Sequence, residues 1–255
     1  MVSPKKHLGQ HFLKDDNIAR KIVDSLLPET ENVLEIGAGT GILTKHLIEK
    51  RFPGLYVIEI DRESVEYLNS NYSELGGKII NEDFLKYDLD KLFTGRFSII
   101  GNFPYNISSQ ILFKVLEYRN SVGEVVGMFQ KEVAERIASP PGSKKYGILS
   151  VLIKAFFDIE YLFTVNESVF YPPPKVKSAV IRLKRNKTDR LNCDEKIFFA
   201  MVKAGFNQRR KTLRNSLGRF NLERDDKVDS LLQKRAERLT VEDFEFLAGR
   251  VIHNE

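Results

Sequence analysis

Leu34-Glu35-Ile36-Gly37-Ala38-Gly39-Thr40-Gly41 closes an apolar run and opens a segment in which Leu43, Leu47 and Ile48 recur at helical spacing. The run reads as a buried strand and the segment as a helix. Glycines at such a junction let the backbone turn sharply and approach a ligand closely. A dinucleotide fingerprint, G-x-G-x-x-G, would put glycine at position 42, where Ile42 stands. The spacing G-x-G-x-G, with Glu35 ahead of it, suits S-adenosylmethionine instead.

Outward from this turn, apolar runs alternate with amphipathic stretches. Residues 32–36, 55–60, 78–80, 97–100 and 124–129 read as buried strands. Helical spacing between them joins Val65, Leu68 and Tyr72, and later Ile111, Leu112, Val115 and Leu116. An earlier helix, about 16–27, carries Ile18, Ile22, Val23 and Leu26 on one side, with Asp15 or Asp16 as its cap. Alternation of this kind predicts a parallel sheet covered on both faces. Residues 158–165 and 178–184 break the pattern, because only a loop with Pro172, Pro173 and Pro174 separates them. Parallel neighbours need a long crossover, so these two are expected to be antiparallel. The fold class is therefore α/β. A mostly parallel sheet ending in an antiparallel pair is typical of the Rossmann-like class I S-adenosylmethionine-dependent methyltransferases, and that arrangement is expected here.

Residues 185–195 are polar and charged and read as a linker. After it, 196–218, 225–232 and 241–251 read as helices. Two domains are expected: 1–185, binding the cofactor and carrying catalysis, and 186–255, small, all-helical and basic.

The bulk properties bound the function. The chain has 255 residues, 42% hydrophobic, with a net charge of +5. That length suits one large domain plus a small one, with a sizeable core. The basic excess is compatible with a polyanionic partner. A single cysteine, Cys193, excludes an internal disulfide and agrees with a reducing compartment. The four histidines, His7, His11, His46 and His253, lie far apart, and no metal site is expected. No apolar run is long enough for a membrane span, and the start lacks a signal core. A cytoplasmic protein without membrane attachment is expected. No apolar surface repeat suggests a dimer, so a monomer is expected.

Three strand ends supply candidate site residues. Glu59 and Asp61 lie two apart at the end of the second strand. A carboxylate there can accept both ribose hydroxyls of a bound nucleoside. Glu59 is preferred, because Asp61 can cap the following helix. After the third strand, Asp83 can accept an adenine amine while Phe84 or Leu85 covers the ring. After the fourth strand comes Asn102-Phe103-Pro104-Tyr105. These residue types suit methylation of the exocyclic amine of adenine. That amine is a poor nucleophile, because its lone pair is delocalised into the ring. The Asn102 side-chain oxygen and the Phe103 carbonyl can accept its two N–H bonds and free the lone pair. Pro104 holds the loop in one shape and has no competing N–H. Tyr105 can stack on the base, a contact worth roughly 1–3 kcal/mol. Phe170, ahead of the three prolines, is expected to form a second stacking wall.

Residues 196–222 contain seven basic residues and no acidic ones. Phe206, Leu213, Leu217 and Phe220 are expected to form the buried stripe of this helix. Arg209, Arg210, Lys211 and Arg214 are then exposed for RNA phosphates. Lys5, Lys6, Lys144, Lys145, Lys175 and Lys177 can extend the patch.

Taken together, these motifs resemble one family: the ribosomal RNA small-subunit adenine dimethyltransferases of the KsgA (RsmA) type. The resemblance covers nearly the whole chain. It includes Gly9-Gln10-His11-Phe12-Leu13, residues 35–41, 57–61 and 102–108, Gln130-Lys131-Glu132, Tyr146-Gly147, and residues 170–180 and 206–217. The last stretch matters most, since the glycine turn is common to methyltransferases at large. Motifs like Asn-Phe-Pro-Tyr also occur in methyltransferases acting on DNA adenine or protein glutamine. The resemblance implies four methyl transfers from S-adenosylmethionine to two adjacent adenines near the 3′ end of small-subunit (16S) rRNA, late in small-subunit assembly. The implied partner is that rRNA within the pre-30S subunit. Implied cofactor contacts are His11, Leu13, Gly37, Glu59, Asp83 and Asn102, with Gly39 in the same turn. Members often carry asparagine at the position of His11 and leucine at that of Phe103. Two relatives of this reading compete with it: a large-subunit (23S) rRNA adenine dimethyltransferase, and a non-catalytic RNA-binding assembly factor. A nicotinamide-dependent oxidoreductase is disfavoured by Ile42.

Overall fold

The structure, a computed structural model, describes residues 2–252, so His253 and the two residues after it lie outside the described residues. In chain order the elements are β1 (Phe12–Leu13), α1 (Asp16–Val23), β2 (Asn32–Ile36), α2 (Ile42–Lys50), β3 (Gly54–Ile58), α3 (Arg62–Asn71), β4 (Ile79–Ile80), β5 (Phe97–Asn102), α4 (Ser108–Glu117), β6 (Val122–Gln130), α5 (Lys131–Ala138), α6 (Ile148–Lys154), β7 (Phe157–Val165), β8 (Phe170–Tyr171), β9 (Ser178–Arg185), α7 (Glu195–Asn207), α8 (Leu213–Ser216), α9 (Asp226–Leu232) and α10 (Val241–Ala248). No helix among the described residues is long and apolar enough to cross a membrane.

The chain forms two compact units. The first runs to Ala134 and resumes over Ile159–Arg185; the second combines Glu135–Asp158 with the residues from Asn186 onward. Residues 135–158, assigned to the first domain on sequence alone, therefore cluster with the terminal helices.

The first unit is built on a seven-stranded sheet of order β4-β3-β2-β5-β6-β9-β7. From β4 through β3, β2 and β5 to β6, each strand pairs in parallel with the next. The residues of β2, β5 and β6 are buried almost without alternation, as a sheet covered on both faces requires. β9 pairs antiparallel with β6. The start of β7 meets the end of β9, where the Asn186 N–H donates to the Phe156 carbonyl at 3.0 Å. This is the antiparallel relation expected of residues 158–165 and 178–184. Local caps match the sequence: Asp15 accepts from the Ile18 N–H at the head of α1, and Asp61 from the Glu63 N–H at the head of α3. The chain passes from β2 to β3 and β4 on one side, then to β5 and β6 on the other. That reversal opens a crevice beyond the carboxyl ends of β2 and β5.

The second unit is mainly helical. Tyr146, Phe156, Phe198, Met201, Leu213 and Phe244 are buried in it. Tyr146 meets Phe206 edge-on at 6.0 Å, and Phe156 stacks on Phe199 at 6.4 Å. The single helix expected over 196–218 is instead two. α7 ends at Asn207, residues 208–212 form a turn, and Leu213 starts α8. In the expected buried stripe, Leu213 and Leu217 are buried, while Phe206 and Phe220 are half-buried.

Candidate active site

The crevice holds a cavity of about 180 Å³ whose walls include Gly37, Glu59, Asp83, Asn102 and Tyr105. Gly37, Gly39 and Gly41 all have positive φ, +68°, +55° and +80°. At Gly39 a Cβ would also come within 2.9 Å of the Phe12 ring. The turn thus requires glycine both for its left-handed backbone and for the chain folded over it.

Glu59 is 3% exposed. One carboxylate oxygen accepts from the Gly39 N–H at 2.9 Å and the other from the Asp61 N–H at 2.8 Å. Burial pushes its carboxyl up, and the two N–H bonds pull it back. Each oxygen retains a lone pair for a further donor. Asp61, beside it, serves α3 as cap and pairs with Lys5 at 2.5 Å. Burial acts to raise the Asp61 carboxyl, but Lys5, Gln10 and Ser64 outweigh it and leave it below the usual range. Asp83 accepts from the Leu85 N–H at 2.9 Å, which shapes the loop around the buried Phe84. Asp83, Phe84 and Leu85 all line the cavity.

Asn102 ends β5. Its Nδ2 donates to the His11 carbonyl at 2.8 Å. A carbonyl can only accept, so this bond fixes the amide's orientation. No donor among the described residues reaches the Asn102 side-chain oxygen. Pro104 accepts from the Ile107 N–H at 3.2 Å, closing a tight turn before α4. The Tyr105 hydroxyl bonds the Ser178 hydroxyl, and its ring stacks on His11 with centroids 5.5 Å apart. The Nδ1 of His11 lies 2.7 Å from the Pro172 carbonyl, which requires Nδ1 to carry a proton and donate. Tyr105 and His11 line the cavity and also a second cleft of about 480 Å³ beside it.

Some of this was hidden in the sequence. Phe103 is 1% exposed and meets Phe129 edge-on at 5.2 Å. A Cβ at Gly127 would come within 2.3 Å of the Phe103 ring, so this glycine makes room for the side chain under the loop. The stack of His11 on Tyr105 joins residues far apart in the chain, and no local pattern announces it.

Two expected site residues lie elsewhere. Phe170 is 1% exposed within the core of the first unit, so it is no stacking wall in this structure. It sits on β8, which pairs with β1 in the register Leu13↔Phe170 and Phe12↔Tyr171. Strand alternation turns one residue of each pair inward. Leu13 is the other inward residue, 3% exposed, and it too is absent from the cavity wall.

The basic residues fall in the second unit. Arg209, Arg210 and Lys211 lie on the turn between α7 and α8 rather than on a helix. Arg209 is already engaged: its Nε donates to Glu237 at 2.9 Å and its guanidinium to the Lys144 carbonyl. Arg214 stands 3.9 Å from Asp229. The acidic partners missing from 196–222 thus come from later in the chain. Arg210 and Lys211 are exposed and have no ion pair among the described residues.

The charge of the cavity wall decides what it can hold. Glu59, Glu82 and Asp83 line it, and no lysine or arginine does. A pyrophosphate would be repelled there, whereas a nucleoside bearing a sulfonium and an ammonium would be attracted. The residues therefore fit S-adenosylmethionine, and Ile42 stands where a dinucleotide turn would carry its third glycine. Comparison with known proteins agrees. A family model described as ribosomal RNA adenine dimethylase matches residues 1–248. The chain belongs to the ribosomal RNA adenine dimethylase family. A relative from Flavobacterium johnsoniae, ribosomal RNA small subunit methyltransferase A, is 57% identical over 252 residues, 98% of this chain and 96% of its own. A solved dimethyladenosine transferase from Plasmodium falciparum matches with a TM-score of 0.77 and 26% identity, over 93% of this chain and 96% of that one. The structure of the 23S rRNA methyltransferase ErmE matches with a TM-score of 0.68 and 25% identity, over 93% and 99%. As a ribosomal RNA adenine dimethylase, the chain is an S-adenosylmethionine-dependent methyltransferase of class I fold.

Proposed function

We propose that this enzyme dimethylates the N6 amines of two adjacent adenines near the 3′ end of small-subunit (16S) rRNA, late in small-subunit biogenesis. The observation that carries this is the 57% identity to a small subunit methyltransferase A along nearly the whole of both chains, the second unit included. A large-subunit target is less well supported, because ErmE is matched at 25%.

S-adenosylmethionine supplies a methyl group on a sulfonium. The protein's part is binding and positioning. Glu59, already fixed by two backbone donors, accepts the ribose hydroxyls with its free lone pairs. Gly37 and Gly39 bring the backbone close, and Asp83 accepts the adenine amine of the cofactor. His11 and Leu13 contribute from the segment that crosses the glycine turn, Leu13 through its packing. Asn102 is locked by its Nδ2, so its oxygen is left to accept an N–H of the target amine. The Phe103 carbonyl takes the other N–H, and Pro104 keeps that carbonyl in place. Tyr105, steadied by His11 and Ser178, stacks on the base. No strong base is required, because the methylated nitrogen becomes acidic and releases its proton to water. For RNA we assign Arg210 and Lys211 to phosphate contact and Arg214 to a supporting contact. Arg209 acts by holding the turn. The 1–185 and 186–255 parts are accordingly given catalysis and rRNA binding, with 135–158 grouped with the latter. The substrate is the pre-30S subunit, met in the cytoplasm by a single chain, and sedimentation of the pure protein checks the last point.

The test is methyl transfer from labelled S-adenosylmethionine to purified unmethylated small subunits, with unmethylated large-subunit RNA alongside, followed by nucleoside analysis. Dimethyladenosine in the small-subunit RNA alone is expected. Label confined to the large-subunit RNA would move the enzyme to that substrate, and tight small-subunit binding without label would make it an assembly factor. In the same assay Asn102→Ala is expected to lose methyl transfer while cofactor binding stays measurable. Near-normal turnover in that variant would overturn the role given to the Asn102 oxygen.

A further inference from the structure

Tyr171 is the only exposed phenylalanine or tyrosine among the described residues, at 59%. The reason is local. β8 is two residues long and pairs with β1, so Phe170 turns into the core and Tyr171 turns out. The next residues, Pro172, Pro173 and Pro174, stiffen the chain that carries it. Pro172 to Val176 form one wall of the 480 Å³ cleft, whose other side includes Tyr105 and His11. The cleft lies within the size range of ligand sites, about 300–1,000 Å³. Val176, a second exposed apolar residue, is on the same wall at 46%.

The charged side chains that line this cleft are of one sign. Lys6 and Lys175 line the cleft, Lys177 follows on the same segment, and the Lys14 N–H donates to the Val169 carbonyl just ahead of β8. All four lysines are exposed, and none has an ion pair among the described residues. Unpaired cations interleaved with an exposed ring make the pattern that binds single-stranded nucleic acid: bases stack on the ring and phosphates meet the cations. An acidic peptide would use the lysines but would leave the ring in water.

We infer that Tyr171 is a stacking platform for a nucleotide next to the target adenine, with Lys6 and Lys175 meeting its phosphates. This rests on the reading that the cleft beside Tyr105 admits rRNA. The proline ridge holds the ring ready, so little freedom is lost when a base lands on it. Stacking needs no particular base, because each has a π-face. The platform therefore serves affinity and register rather than the chemistry of transfer.

The experiment compares wild type with Tyr171→Ala and Tyr171→Phe, in two measurements. With unmethylated small subunits as substrate, Tyr171→Ala is expected to raise KM about five- to a hundredfold, the stacking range for one base. Its kcat, melting temperature and S-adenosylmethionine affinity should stay within about twofold or a degree or two of wild type. Tyr171→Phe should restore KM, since it keeps the ring. The second measurement needs no turnover: a short single-stranded RNA carrying 2-aminopurine is titrated with each protein, and base fluorescence reports stacking. Quenching by wild type and Tyr171→Phe but not by Tyr171→Ala is expected. Equal quenching by all three, or a KM for Tyr171→Ala within twofold of wild type, overturns the platform. If wild type fails to methylate small subunits yet the quenching pattern holds, the substrate reading falls and the platform stands.

Discussion

Glu35 stands beneath the glycine turn, 1% exposed, with the Thr44 hydroxyl donating to it at 2.7 Å. Burial pushes its carboxyl up to about 8, Thr44 pulls it down, and the nearby charge of Glu59 pushes it further up. The ordinary value for the group is 4.5. Between those two values the folded chain holds a proton that the unfolded chain has released, so stability falls as pH rises. The contribution is complete below about 4.5 and gone above about 8. Glu35→Gln keeps an acceptor for Thr44 and removes the titration. The variant is expected to melt close to wild type near pH 5 and several degrees above it near pH 8, by thermal denaturation across that range. Parallel curves for the two proteins would show that Glu35 does not titrate in this window. The sequence marked Glu35 as part of the turn but held no sign of its proton state. Desolvation depends on how α2 packs over β2, which no local pattern encodes. Glu59 was more legible, because two residues at a strand end face the same way and Asp61 had a clear alternative task as cap.

At the level of elements, the legible parts were those whose signal is local. Residues 32–36 are a strand with the expected limits, and the antiparallel relation of β7 and β9 at the sheet edge followed from the shortness of a loop. The break between α7 and α8 was not legible. Residues 196–218 keep an apolar helical stripe across it, and contacts from elsewhere help hold the turn: Leu213 N–H to the Lys234 carbonyl at 2.8 Å, and Arg209 to Glu237. The break changes what the basic residues can do. Arg209 is engaged within the unit, whereas Arg210 and Lys211 project without partners. Arg210→Gln with Lys211→Gln is therefore expected to weaken small-subunit rRNA binding, most at low salt. The slope of log affinity against log salt should shrink by about 1–2, as two lost phosphate contacts require. The melting temperature should not change. Arg209→Ala is expected to do the reverse, lowering the melting temperature and leaving the slope nearly intact. Binding isotherms at several salt concentrations, with melts alongside, separate the two. Equal slopes for wild type and the double variant would remove the turn from the RNA surface.

For the whole molecule, the division into units carries a consequence that a boundary at 185/186 alone would miss. The second unit takes Glu135–Asp158 from the middle of the chain and the rest from its end. Amphipathic helices advertise an apolar face but not which partner covers it, so the sequence could not assign α6 to one unit or the other. The structure covers that face with terminal residues: Phe156 stacks on Phe199, and Tyr146 meets Phe206. Val151, Leu152 and Ile153 on α6 are fully buried as well. A chain ending at Arg185 would retain residues 135–158 but lose Phe199, Phe206 and the buried Phe198 and Phe244. Several large side chains would be stripped of cover, each worth about 1.5–3 kcal/mol of burial. That sum is comparable to the whole stability of a domain, about 5–15 kcal/mol. The truncated chain is accordingly expected to be aggregation-prone, to bind a hydrophobic dye and to melt without cooperativity, although every residue of the cofactor cavity is present. A second truncation that also replaces 135–158 with a short polar linker should recover a cooperative melt and S-adenosylmethionine binding. Calorimetry on both chains checks this. A cooperative, wild-type-like transition in the simple truncation would mean that residues 135–158 need no partner from the terminal helices, and the second unit would then be a cluster of contacts rather than a unit of folding.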